Sequence, residues 1–163
     1  MPTATFDLAN SSKYKSYENG GIILRVVKHI MLWVITMILF TSASFGVELL
    51  EGNKISTTEY YGFRNIGIAY LFLIFLVPSV LYPIVIFPLT WVVRKIANPL
   101  VSRIIILILS VIGGYIFFQR SYNERFVMEY HLNSSTAIIL FGVAGFIYVL
   151  ADYYMERQVN KVD

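Results

Sequence analysis

The hydrophobic residues of this chain are gathered into four long runs, and polar residues lie mainly between them. The longest run extends from Ile66 to Val93 and contains no Asp, Glu, Lys, Arg or His. A bilayer core about 30 Å thick requires about 20 helical residues, so this run is long enough to cross it. With the other runs it predicts spans at about 30–49, 66–93, 100–120 and 136–154. We therefore predict an all-α integral membrane protein, a four-transmembrane-helix bundle.

The composition supports this interpretation. Hydrophobic residues make up 57% of the 163 residues and charged residues only 14%, whereas about 25% of an ordinary soluble domain is charged. We expect a polar cytoplasmic tail, 1–21, that is flexible or forms a short surface helix ending at Gly20 and Gly21. Residues 22–163 then form the membrane domain. Because the chain contains no cysteine, disulfides and sulfur-based chemistry are excluded.

The distribution of Lys and Arg predicts the orientation. Nine of the 13 basic residues fall on the side that carries both termini and the loop around residues 94–103. Basic residues in short flanking segments favour the cytoplasmic side. We therefore predict that the N and C termini are cytoplasmic and that the protein is a multi-pass protein of the cell membrane.

Three pairs of small residues mark faces where helices are expected to approach closely. In lipid, helix association depends on close packing, which small side chains permit. The pairs are Ser42 and Gly46 in the first span, Ser110 and Gly114 in the third, and Gly142 and Gly145 in the fourth. We expect these faces to join spans of one chain, with contact between two copies as the alternative.

Three prolines, Pro78, Pro83 and Pro88, interrupt the second span. Each lacks an N–H group, so the carbonyl four residues earlier, for Pro83 that of Ser79, loses its helical partner. Bends are expected there, and each freed carbonyl must find another donor in lipid. The prolines are hinge candidates, with a static kink as the other interpretation.

The segments outside the runs carry further signals. Residues 119–135 predict a short surface helix whose aromatic stripe, Tyr122, Phe126 and Tyr130, turns inward. Asn133 is suited to cap the fourth span. Trp33 is expected to lie at the membrane interface as an anchor.

Ionisable residues inside spans would indicate proton relays, ion paths or substrate sites, and the sequence places none in the four apolar cores. Glu48 and Asp152 lie at span ends and are expected near water. His29 is expected to pair with Asp152 or Glu156. His131, which has no second histidine near it, is expected to be a surface residue rather than a metal ligand.

Motifs for catalysis are missing from the sequence. It contains no Gly-rich phosphate loop, no His-Glu-x-x-His and no Gly-x-Ser-x-Gly. We therefore expect no enzyme activity and no catalytic, cofactor or metal site. We also expect no binding of nucleic acid, because the basic residues flank the spans, where orientation and anionic lipid explain them.

From Leu71 onward the chain combines four features. The second span contains prolines from Pro78 to Pro88, and a basic turn follows it. The third span contains an Ile-Gly-Gly segment, Ile112–Gly114, and the last span ends in an Asp near aromatic residues, Gly145–Tyr154. In these features it resembles small uncharacterised four-span membrane proteins of Gram-positive, Bacillus-type bacteria. The resemblance implies four spans, a cell-membrane location and no established activity.

The expected function follows from the predicted packing faces and the missing reactive groups. We expect a non-enzymatic membrane protein that acts in the lipid bilayer through contact with another membrane protein or peptide, as an accessory or immunity-type protein, or with itself. The alternative is a small transporter or pore gated at the kinked second span.

Overall fold

The computed structural model describes the backbone of residues 4–96 and 98–159 and the side chains of residues 23–96 and 98–159. Over these ranges the chain is helical and forms no strand. Four stretches are long and apolar enough to cross a membrane: Ile23–Lys54, Ile68–Ile96, Pro99–Ser121 and Ser134–Val159. The prediction of an all-α chain with four such helices is therefore confirmed.

The first helix, α1, extends over Ala4–Leu50. It continues through Gly20 and Gly21, so the expectation that this pair ends the helix is wrong. Glycine in a helix interior costs about 1 kcal/mol relative to alanine, which weakens a helix without breaking it. The side chains of the predicted polar tail lie outside the described residues.

The second span is built from three segments. A single 3-10 turn, Gly52–Lys54, and a short helix, α2 (Phe63–Ile66), connect it to α1. Its segments are α3 (Ile68–Leu81), a π-helical segment (Tyr82–Ile86) and α4 (Phe87–Ile96). Gly67, at a φ of 60°, occupies the left-handed region between α2 and α3, where glycine carries no steric penalty.

The π-helical segment lies where the prolines predict a bend. The Phe87 N–H donates to the carbonyl of Tyr82, five residues earlier. The Ser79 carbonyl, which Pro83 leaves without a helical partner, accepts a hydrogen bond from Trp33 Nε1 at 3.1 Å. A donor from α1 thus satisfies this carbonyl. Trp33, predicted as an interfacial anchor, thus has its indole N–H partly buried and bonded to the second span, and its depth in a membrane stays a prediction.

The remaining helices are α5 (Pro99–Ser121), α6 (Glu124–Glu129) and α7 (Ser134–Val159). The Ser135 N–H donates to Asn133 Oδ1 at 2.9 Å, which confirms Asn133 as the cap. The aromatic stripe of the third connection also turns inward as predicted, since Tyr122 is buried and Phe126 and Tyr130 pack beside it.

The packing of the helices leaves a gap between α3 and α5. α7 packs against both α5 and α1, and α3 packs against α1. Of the second span, α4 packs against α5, whereas α3 makes at most marginal contact with α5 within the described part of the chain. The second and third spans therefore meet at the α4 end and diverge toward the α3 end.

The predicted small residues occupy several helix contacts. Gly46 lies against Leu140 of α7, and a Cβ on Gly114 would approach the Ala137 carbonyl oxygen to 2.8 Å. Gly145 lies against Ser110, whose Oγ donates to the Phe141 carbonyl at 2.8 Å; Gly142 lies near Val111.

Ser42 does not share this role. Its side chain is exposed, whereas Ala43 and Ser44 are buried. The expectation that Ser42 packs against another helix of the same chain is therefore wrong, whereas contact between two copies through Ser42 stays a prediction. Because successive residues turn about 100° around a helix, the face buried against α7 passes through the neighbouring small residues instead.

Candidate functional site

A buried carboxylate lies at the end of the bundle where α1 meets the first and third connections. Glu48 is 1% exposed. Its Oε2 accepts hydrogen bonds from the hydroxyls of Tyr60 and Tyr122, the latter at 3.1 Å, and its Oε1 accepts one from the Phe63 N–H at 2.9 Å. These four residues form the Glu48 cage. It connects the first connection and the end of α5 to α1.

Both tyrosines of the Glu48 cage resist ionisation. Burial raises the pKa of Tyr60, and its hydrogen bond to Glu48 raises it further. Burial also raises the pKa of Tyr122, with an added contribution from the nearby Glu48 charge. Each phenol is therefore a neutral donor over the physiological range.

Glu51, one turn further along the chain, is also buried and holds the third connection. Its Oε1 accepts from the Thr136 hydroxyl at 2.6 Å, and its Oε2 accepts from the Asn133 N–H at 3.0 Å. Lys54 Nζ lies 2.7 Å from Oε2. Glu51 thus fixes the start of α7 to the end of α1.

A larger group of charges lies at the opposite end of the bundle. Asp152, on α7, is 2% exposed and is surrounded by cations from three other helices. Lys28 Nζ lies 3.3 Å from Oδ1, and Arg94 Nη2 lies 2.5 Å from Oδ2. Arg103 Nε lies 3.4 Å from the same Oδ2. This one carboxylate therefore links all four spans.

Glu156, one turn beyond Asp152, completes the set, which we call the charge cluster: Lys28, Arg94, Arg103, Asp152 and Glu156. Arg103 Nη2 lies 2.6 Å from Glu156 Oε2, Arg94 Nη2 lies 3.4 Å from it and Lys28 Nζ 3.8 Å. Lys28 itself is 8% exposed. Three cations thus share two carboxylates, and the cluster carries a net charge of +1.

The expected pairing of His29 with Asp152 or Glu156 is wrong. The His29 ring packs edge-on against Phe87, with ring centroids 4.8 Å apart, and its buried Nδ1 has no hydrogen-bond partner among the described atoms. Cations with longer side chains occupy the carboxylates instead. His29 faces a cavity of about 180 Å³, the polar pocket, lined by residues that include His29, Tyr82, Thr90, Arg94, Tyr148 and Asp152.

A second cavity, the apolar cleft, adjoins the polar pocket. Its volume is about 240 Å³, and residues of all four spans line it, including Leu39, Leu81, Leu89, Leu109, Gly113 and Tyr148. Tyr148 lines both cavities. A Cβ placed on Gly113 would meet no atom within 4 Å, so the cleft is open at that point.

The structure thus contains buried charges that the sequence interpretation expected near water. Glu48 and Asp152 do lie toward the ends of their helices, but both are enclosed by neighbouring helices or connections. One signal could have indicated this for Asp152. Phe141, Gly145, Tyr148 and Asp152 follow at steps of four, three and four residues, so Asp152 continues the face that Gly145 packs inward.

Comparisons with protein-family models, with curated proteins and with solved structures find no match to this chain. The functional interpretation therefore depends on the geometry of the two cavities and the two buried groups of charges.

Proposed function

We propose that this chain is a multi-pass protein of the cell membrane, with both termini in the cytoplasm, that acts without catalysis by contact with another membrane protein or peptide. The orientation is supported by the excess of Lys and Arg at the Asp152 end, which the positive-inside rule assigns to the cytoplasm. The Glu48 end would then face outward.

The observation that carries the contact proposal is the divergence of α3 from α5. Leu109 and Gly113 of α5 line the cleft, and Ile116, three residues further along the same helix, is exposed. In lipid, small residues that leave room for close approach favour helix association. A transmembrane helix of a partner could therefore pack along this part of α5, opposite Val77 of α3.

Site-directed photo-crosslinking in native membranes tests this proposal. A photoreactive residue at Ile116 or at Val77 is expected to capture a protein or peptide. Each is exposed and lies about one helical turn from a residue that lines the cleft, Gly113 and Leu81 respectively. The matched control is Val143, which is exposed on the outer side of α7. Capture of only lipid at Ile116 and Val77, or equal capture of protein at Val143, would contradict the proposal.

One observation favours the alternative of a small transporter or pore. The π-helical segment replaces regular helical bonding in the middle of the second span, and such segments are frequent at functional sites. Pro83 lies within this segment, and Pro88 lies in the first turn of α4. If this segment gates a path, alanine at both positions should change a flux across liposomes that contain the protein, whereas Pro99→Ala, at the start of α5, should not. An unchanged flux in the double variant would count against gating.

A further inference from the structure

We propose that the Asp152 end of the bundle binds one anionic phospholipid, with its phosphate in the polar pocket and one hydrocarbon chain in the apolar cleft. This inference shares Leu109 and Gly113 with the proposed partner surface and takes the Asp152 end as cytoplasmic, as proposed above. It is tested separately, by the binding of lipid to the purified chain without a partner.

The shape of the two cavities matches the order of groups in such a lipid. The apolar cleft is lined by residues of all four spans, and the Tyr148 side chain lines both this cleft and the polar pocket, so the two cavities are neighbours. A helix is about 10 Å wide with its side chains, so a cavity of about 240 Å³ is too small to admit one. A hydrocarbon chain is narrow enough.

The charge of the site selects an anion. Among the side chains that the structure describes, the cluster holds three cations against two carboxylates, and a buried charge without compensation is costly. A phosphodiester carries the single negative charge that would balance it. Basic pockets between transmembrane helices on the cytoplasmic side are known to bind anionic lipid headgroups.

Two buried nitrogen atoms without a hydrogen-bond partner belong to side chains that line the polar pocket. They are Arg94 Nε and His29 Nδ1, both unsatisfied among the described residues and both on side chains that line the polar pocket. Arginine N–H groups form strong hydrogen bonds with phosphate oxygens, and His29 can donate from Nδ1 in the corresponding tautomer. The Asp152 carboxylate also lines the pocket, but Lys28, Arg94 and Arg103 already surround it.

The interfacial residues beside the pocket suit a headgroup region. Trp91, which lines the polar pocket, is exposed, and Lys95 Nζ lies 5.2 Å from the centroid of its ring. Trp and Lys are typical of the boundary between hydrocarbon and water. A lipid held here would thus place its phosphate at the level of that boundary.

The test is a lipid titration of the purified, delipidated chain, followed by native mass spectrometry. Phosphatidylglycerol is expected to bind with a stoichiometry of one and more tightly than phosphatidylcholine of the same chain length. Arg94→Gln should weaken phosphatidylglycerol binding about fivefold, equivalent to about 1 kcal/mol for one basic residue. Arg120→Gln, which removes an exposed cation at the other end of the bundle, should have no effect.

A second variant separates the lipid site from the stability of the charge cluster. Gly113→Leu fills the open part of the apolar cleft without touching a charge, and it should also weaken phosphatidylglycerol binding. Glycerol phosphate, which has no hydrocarbon chain, should not displace the bound lipid. Equal binding of the two lipids, equal losses in Arg94→Gln and Arg120→Gln, unchanged binding in Gly113→Leu, or displacement by glycerol phosphate would overturn the proposal.

Discussion

Replacing Asp152 by asparagine is expected to destabilise the bundle strongly, because the variant keeps the shape of the side chain and removes only its charge. The carboxylate is 2% exposed and lies within 3.4 Å of a nitrogen of Arg94 and of Arg103, and within 3.3 Å of Lys28. After the substitution, three cations would retain only Glu156.

The expected loss follows from the cost of leaving buried charges unpaired. Removing one partner of a buried ion pair typically costs about 3–5 kcal/mol, and for a chain of this length that corresponds to a decrease of roughly 10 °C in Tm. The loss is measured by thermal or denaturant unfolding of the purified protein in a mild detergent, with tryptophan fluorescence as the signal.

Glu156→Gln provides the matched control. Glu156 contacts the same cations, but its side chain is 21% exposed, so water compensates part of its loss and we expect a cost of about 1 kcal/mol. Combining Lys28→Met with Asp152→Asn should cost less than the sum of the single changes, because the two groups interact. A loss below about 1 kcal/mol for Asp152→Asn, or an equal loss for Glu156→Gln, would refute this account of the cluster.

Three further predictions concern other parts of the bundle. Gly62→Ala should lower the free energy of unfolding by about 1–3 kcal/mol, because a methyl group there would collide with the Glu48 cage. Gly113→Ala should not lower it, because that Cβ enters open space and alanine favours a helix over glycine. Trp33→Phe should lower the free energy of unfolding by about 1–3 kcal/mol, because it leaves the Ser79 carbonyl without a donor. An unchanged free energy of unfolding would contradict this and indicate that water replaces the indole. The contribution of Tyr60 and Tyr122 to stability should be constant up to about pH 10, the ordinary pKa of tyrosine, and fall above it. The pKa values of Tyr60 and Tyr122 are raised in the fold, so the unfolded chain loses these protons at a lower pH than the folded chain. Unfolding midpoints measured at several pH values check this. Tyr60→Phe should make the fall of the midpoint with pH less steep.

Much of the helical architecture follows from local patterns. The lengths of the apolar runs predict the four long helices, Asn133 predicts the start of α7, and Pro83 predicts that the Ser79 carbonyl needs a donor from elsewhere. Each of these depends on residues close together in sequence. The choice of Trp33 as that donor depends on how α1 and the second span pack, which no local pattern contains.

The burial of charge could not be predicted in the same way. Hydropathy is averaged over a window of residues. A single acid near the end of an apolar run, such as Glu48 or Asp152, is therefore taken to mark the end of the span and is predicted to be exposed to water. Its burial depends on which face of the helix it occupies and on cations from distant segments, such as Lys28 and Arg103. The sequence also could not show that Ala43 rather than Ser42 is the packing position. Both are small residues of α1, and which one faces α7 depends on how the two helices are rotated against each other.

The apolar cleft also lies beyond the sequence pattern. Residues that face lipid and residues that face another helix are equally apolar in a membrane protein. Leu109 and Leu81 are therefore indistinguishable by composition from side chains that contact a neighbouring helix. Only the divergence of α3 from α5 leaves them lining a cavity.

Labelling of single introduced cysteines in intact cells tests most directly the claim that the Asp152 end faces the cytoplasm and the Glu48 end faces outward. The chain contains no cysteine of its own, so Glu59→Cys in the first connection and Asn98→Cys between α4 and α5 each report one side. We predict that a membrane-impermeant maleimide labels position 59 in intact cells and position 98 only after permeabilisation. The reverse pattern, or labelling of both positions in intact cells, would contradict the four-span arrangement as oriented here.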